Sequence, residues 1–168
     1  PASEPGGGLG VLYLTDTFAD DFPVIADGLK AVTGIETWVG TLGLGVVANE
    51  KSAFDRPAAA AMVIDVGSDA YRLIARTPIP DRWPDELMHW AETVNPMCGL
   101  VHADGTTPAL AELIETLAKR SGAYLVGGLT CSRSTQHQLA ADMGGGGVSG
   151  VLFSPDVPVT VGLTQGCS

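Results

Sequence analysis

Short apolar runs ending in aspartate or glycine alternate with stretches whose apolar residues recur every three or four positions. The runs "VLYLTD" (11–16), "TWVGTLG" (37–43), "GLVHAD" (99–104) and "YLVGGLT" (124–130) predict strands. Two periodic stretches predict helices: Pro23–Thr33, with Phe22, Ile25, Leu29 and Val32 on one face, and Pro108–Ser121, with Leu110, Leu113, Ile114 and Leu117 on one face. Each helix has proline in its first turn, where the missing N–H costs nothing. Each has a capping candidate before it, Asp21 or Thr107, and a glycine after it, Gly34 or Gly122.

These pieces occur twice at nearly constant spacing. "VLYLTD" answers "GLVHAD", the first helix answers the second, and "TWVGTLG" answers "YLVGGLT". "MVIDVGSDAYRLI" (62–74) answers "GVLFSPDVPVTVG" (150–162), both strand–turn–strand patterns. The chain therefore reads as a leader (1–8) and a single domain (9–168). That domain holds a βαβββ-like unit at 10–77, a proline-bounded linker at 78–97 and a second such unit at 99–165. A linker helix is expected over Pro84–Val94, with Leu87, Trp90, Ala91 and Val94 inward. The fold class is α/β, with mixed sheet or sheets built from the two pseudo-repeats and helices packed on them.

Charge narrows the partners. The formal net charge of −10 over 168 residues disfavours nucleic acid and anionic membrane surfaces. No apolar run approaches the roughly 20 residues a spanning helix needs, so membrane insertion is not expected. "PASEPGGG" does not resemble a secretory signal. Cys98, Cys131 and Cys167 are widely spaced with no CxxC pair. That speaks against a cysteine-type zinc site and for reduced thiols and a cytoplasmic home.

Matched strand ends in an α/β fold face one crevice, the usual ligand position. The candidate ligand-binding residues follow from that. Gly127 and Gly128 open a loop in which Thr130, Ser132 and Arg133 supply polar contacts, Arg133 suiting a carboxylate or phosphate. Gly40 and Thr41 form the opposite wall. Asp16 and Asp104, at matched strand ends, read as caps of a turn or helix rather than paired carboxylates. "GGGG" (144–147) lacks the Lys-Ser/Thr of a phosphate loop and reads as a connection or lid. His89 belongs on the exposed side of the linker helix. Cys131 and Cys167 qualify as nucleophiles only with a nearby base, for which His102 and His137 are the candidates.

The order of three motifs resembles the N-terminal domain of the FIST family of bacterial and archaeal intracellular sensors. They are "YLVGGLTCS" with Gly127 and Gly128, "GVSGV" at Gly147–Val151, and the closing "QGC" of Gln165, Gly166 and Cys167. The "WVGTLGLGV" stretch fits the family's earlier glycine turn. The resemblance adds Gln165 and Cys167 to the expected ligand site. It implies a small-molecule-sensing module that binds a polar or anionic metabolite. Signalling would run through a partner, either the family's C-terminal domain, absent from this chain, or a kinase, cyclase or chemoreceptor. It also implies an alternative, a haem-based nitric oxide sensor with His102 or His137 as axial ligand. A third reading is an enzyme: a thiol-dependent hydrolase or one half of a cleaved protein.

Overall fold

A computed structural model describes residues 8–80 and 82–162 of the chain. The first strand, β1 (Leu9–Thr15), leads through a 3-10 turn (Asp16–Phe18) into α1 (Phe22–Thr33). Strand β2 (Trp38–Gly43) returns parallel to β1. A two-stranded ribbon follows, β3 (Gly45–Ala48) with β4 (Lys51–Phe54), and then β5 (Ala59–Ile64), antiparallel to β1. After β6 (Tyr71–Thr77) and α2 (Asp85–Val94), the plan repeats. β7 (Cys98–Asp104), α3 (Leu110–Ser121) and β8 (Tyr124–Thr130) form the second parallel pair. The short strands β9 (Gln138–Leu139) and β10 (Met143–Gly144) precede β11 (Val148–Phe153), antiparallel to β7.

The strands make two main sheets, ordered β10-β9-β2-β1-β5 and β6-β11-β7-β8. Alternation along the strands explains why they stack. On β1, Leu12 and Leu14 pack with Phe22 and Ala26 of α1, while Leu9 and Val11 face the other way. There they meet Tyr71, Val151 and Phe153 of the second sheet. On β7, Val101 and Ala103 point outward to Leu87, Trp90, Leu113 and Leu117 of α2 and α3. The result is four layers: helix, sheet, sheet, helices. Both expected glycine caps form, Gly34 at φ 71° and Gly122 at φ 69°. In the linker helix Leu87, Trp90 and Ala91 are buried, Val94 is half-buried and His89 is exposed.

The two expected N-caps do not form. Asp21 makes no capping bond, and the residue before α3 is Ala109, in the left-handed region at φ 56°. The Thr107 hydroxyl is occupied instead, accepting the Gly147 N–H at 2.6 Å.

The repeat is visible as geometry. Gly40 sits opposite Leu12 in β2–β1, and Gly127 sits opposite Val101 in β8–β7. A Cβ on either glycine would collide with the carbonyl oxygen of that opposite residue. Thr15 and Ala58 exchange hydrogen bonds at the end of β1, as Asp104 does with Gly146 and Gly147 at the end of β7. Thr15, rather than Asp16, is thus the counterpart of Asp104.

The final strand of each unit departs from the expected strand–turn–strand plan. β6 crosses to the second sheet and pairs with β11. β11 is then flanked by β6 and β7, so no place beside it remains for the chain after its turn. Residues 158–162 accordingly form no strand.

Candidate functional site

The two glycine-bearing strands converge. β2 and β8 meet at their C-terminal ends, where the Thr41 and Thr130 hydroxyls lie 2.6 Å apart and Cys131 N–H donates to the Leu42 carbonyl at 3.2 Å. Beside this junction lies a cavity of about 260 Å³. Its walls include Tyr13, Thr41, His102, Gly127 and Gly128, and the ribbon residues Gly45, Val46 and Val47 close one side. Of the residues expected from the sequence, Thr41, Gly127 and Gly128 line it. Gly40 and Thr130 flank it: Gly40 permits the close approach of β1, and Thr130 holds Thr41.

At the centre, the Tyr13 hydroxyl and His102 Nε2 are 3.0 Å apart, with the rings edge to face. The two residues occupy equivalent places on β1 and β7, so the local two-fold relation passes between them. His102 is 2% exposed, and its Nδ1 has no hydrogen-bond partner among the described residues. Burial lowers the imidazole pKa to about 4, leaving a neutral ring at neutral pH. Burial likewise raises the Tyr13 phenol. Tyr13 was not singled out from the sequence. Aligning "VLYLTD" with "GLVHAD" one position differently sets Tyr13 against His102, the polar-tipped residue in each strand, and that was the available signal.

Arg133 is held outside this centre. Its backbone N–H and guanidinium both bond the Asp16 carboxylate, at 3.0 and 3.4 Å, and the guanidinium also pairs with Asp55. Asp16 therefore anchors the loop after β8 rather than capping its own turn. Arg133→Gln is expected to lower the melting temperature more at low salt than at high salt, because the pair with Asp55 is exposed and screened while the Asp16 side chain is 5% exposed and screened less. A thermal melt at both salt levels checks this. Among the described residues Ser132 engages its own loop, bonding Ser134 and Gln136. Gln165 and Cys167 lie outside the described residues.

The glycine run serves the frame. Asp104 accepts from Thr106 N–H (2.8 Å), Thr106 Oγ1 (2.7 Å) and Gly146 N–H (2.9 Å). Burial pushes its pKa up, but these bonds outweigh that and leave it below the usual carboxylate value. Asp104→Ala strips three donors of their acceptor and is expected to cost about 2 kcal/mol in urea unfolding.

A haem does not fit the residues present. His102 is committed to Tyr13 through Nε2, and its cavity lies below the roughly 300–1,000 Å³ that drug-sized ligands occupy, which leaves room for a smaller molecule and not for a macrocycle. His137 is half-buried on a separate cavity of about 350 Å³ whose walls carry Asp27, Lys30 and Asp142, not the apolar slot a porphyrin requires. The thiols show no activated arrangement among the described residues. Cys98 is buried, which raises its pKa, and Cys131 has no hydrogen bond to either histidine. No group of three or more metal-ligating side chains occurs among the described residues, and no helix of theirs is long and apolar enough to cross a membrane.

No curated protein and no solved structure matches the chain. A family model described as the FIST N domain matches residues 8–168, and with that span the chain belongs to the FIST family through its N domain.

Proposed function

We propose that this chain is the sensory module of a signalling protein and takes a small, uncharged polar ligand in the cavity between its two halves. FIST domains are ligand-sensing domains of signalling proteins, so the family supports the general reading. The observation that carries the specific one is the placement of Tyr13, Thr41, His102, Gly127 and Gly128 around one hollow where equivalent strands meet. The lining explains the preference for an uncharged ligand. Among the described residues it contains no lysine, arginine, aspartate or glutamate, and His102 is neutral. Arg133, the cation expected to receive an anion, already lies between two carboxylates. A half-buried phenol with buried hydroxyl and imidazole groups suits hydrogen bonding to a neutral molecule. Ligand occupancy would be read by a partner domain or protein.

A thermal-shift screen of neutral and acidic metabolites tests this. A neutral compound is expected to raise the melting temperature of the wild type and not that of Gly128→Val. At that position a side chain would enter open space on the cavity wall. Stabilisation by acids alone, or stabilisation that survives in Gly128→Val, would refute the reading.

A further inference from the structure

The two halves differ at the cavity. In the first half, the outer edge of β2 at Gly40 and Thr41 is covered by β9, antiparallel, with Leu139 and Gln138 opposite them. The corresponding edge in the second half is that of β8 at Gly127 and Gly128. β8 ends its sheet and has β7 as its one strand partner among the described residues. What borders the uncovered edge is the cavity, with Gly127, Gly128 and Leu129 on one side and Gly45, Val46 and Val47 of β3 on the other. Among the described residues β3 is itself paired on one edge, with β4.

A strand with one neighbour leaves the N–H and C=O of every second residue pointing away from that neighbour. Proteins usually protect such an edge with charge or proline. The other end of this sheet follows the rule, since β6 carries Arg72 and Arg76. β8, with the sequence YLVGGLT, carries neither. Tyr124 and Leu129 are 63% and 62% exposed, and across the cavity Val47 of the ribbon is 68% exposed.

We propose that the open edge of β8 at Gly127–Gly128 receives an extended peptide segment of a partner protein. It adds as an antiparallel strand in the place that β9 fills on β2. This rests on the cavity being the ligand site, the small uncharged group that it accepts being one side chain of the segment. β9 shows the side-chain requirement: of its two residues, Gln138 bonds Ser149 and Leu139 enters an apolar core. A peptide on β8 turns one uncharged residue toward Tyr13, Thr41 and His102 and sets apolar neighbours against Leu129 and Val47. Basic residues flank that core, because the receiving protein carries a formal charge of −10.

Panning a displayed library of short random peptides against the full chain tests the proposal. Enriched peptides are then synthesised with free and with N-methylated backbones, and amide shifts are mapped on labelled protein. The expected result is enrichment of uncharged cores with basic flanks and shifts centred on Val126–Leu129. Affinity should drop roughly five- to tenfold for each methylated amide that faced β8. No enrichment, equal binding of methylated peptides, or shifts centred on β5 would overturn it. A metabolite that passes the thermal-shift test while the library fails would remove the peptide and leave the cavity reading standing; failure of both would remove both.

Discussion

Gly127→Ala is expected to destabilise the protein by about 3 kcal/mol, while Gly128→Ala, one residue later on the same strand, leaves stability within about 0.5 kcal/mol of wild type. The two glycines differ in what surrounds their missing side chains. At Gly127 the backbone has φ +148°, and an added Cβ runs into the Val101 carbonyl oxygen, part of the parallel pairing with β7. Neither the carbonyl nor the strand yields without breaking ladder hydrogen bonds. At Gly128 no atom lies within 4 Å of the added carbon. For a domain stable by about 5–15 kcal/mol, the first loss shifts the urea midpoint clearly and the second does not. Equal midpoints for the two variants would mean that β7 and β8 do not approach as described. Gly40→Ala should behave like Gly127→Ala, because its Cβ meets the Leu12 carbonyl oxygen in the equivalent pair.

Acid should weaken the protein through His102. An unfolded imidazole has a pKa of 6.5, and burial takes the folded value to about 4. The unfolded chain therefore binds the extra proton between these values. Stability is complete above pH 6.5 and falls as the pH drops toward 4, by on the order of 3 kcal/mol. Urea unfolding across that interval measures the slope. His102→Gln keeps a hydrogen-bonding atom for Tyr13 and removes the titration, so its stability should vary much less over the same range. A wild type as stable at pH 4.5 as at pH 7 would show that His102 does not sit neutral beneath the cavity. A ligand that hydrogen-bonds His102 should shift the midpoint of this acid transition.

The fold was legible where local rules and tertiary demands agree. Helical spacing around Ile25 and Leu29, or Leu113 and Leu117, together with Gly34 and Gly122, marks helices that the structure contains. The matched glycines announced a shared steric need that proved to be a carbonyl one strand away. What could not be read was whatever depends on which strand crosses to which sheet. β6 and the residues after β11 carry similar patterns, yet β6 reaches β11 and thereby denies that place to its counterpart. Arg133 looked free because its partners, Asp16 and Asp55, are 117 and 78 positions away. Thr107 looked like a helix cap because its competing partner, Gly147, is 40 positions away. Tyr13 read as one more apolar strand residue until β7 brought an imidazole to its hydroxyl.

The crossing of β6 makes the two sheets one cooperative unit. β6 precedes α2 in the chain yet completes the sheet of β7, β8 and β11, while β9 and β10 extend the sheet of β1 and β2, so neither sheet is built from one continuous stretch. A cut between β6 and β7 should therefore leave two fragments with unfinished sheets that gain structure only when mixed.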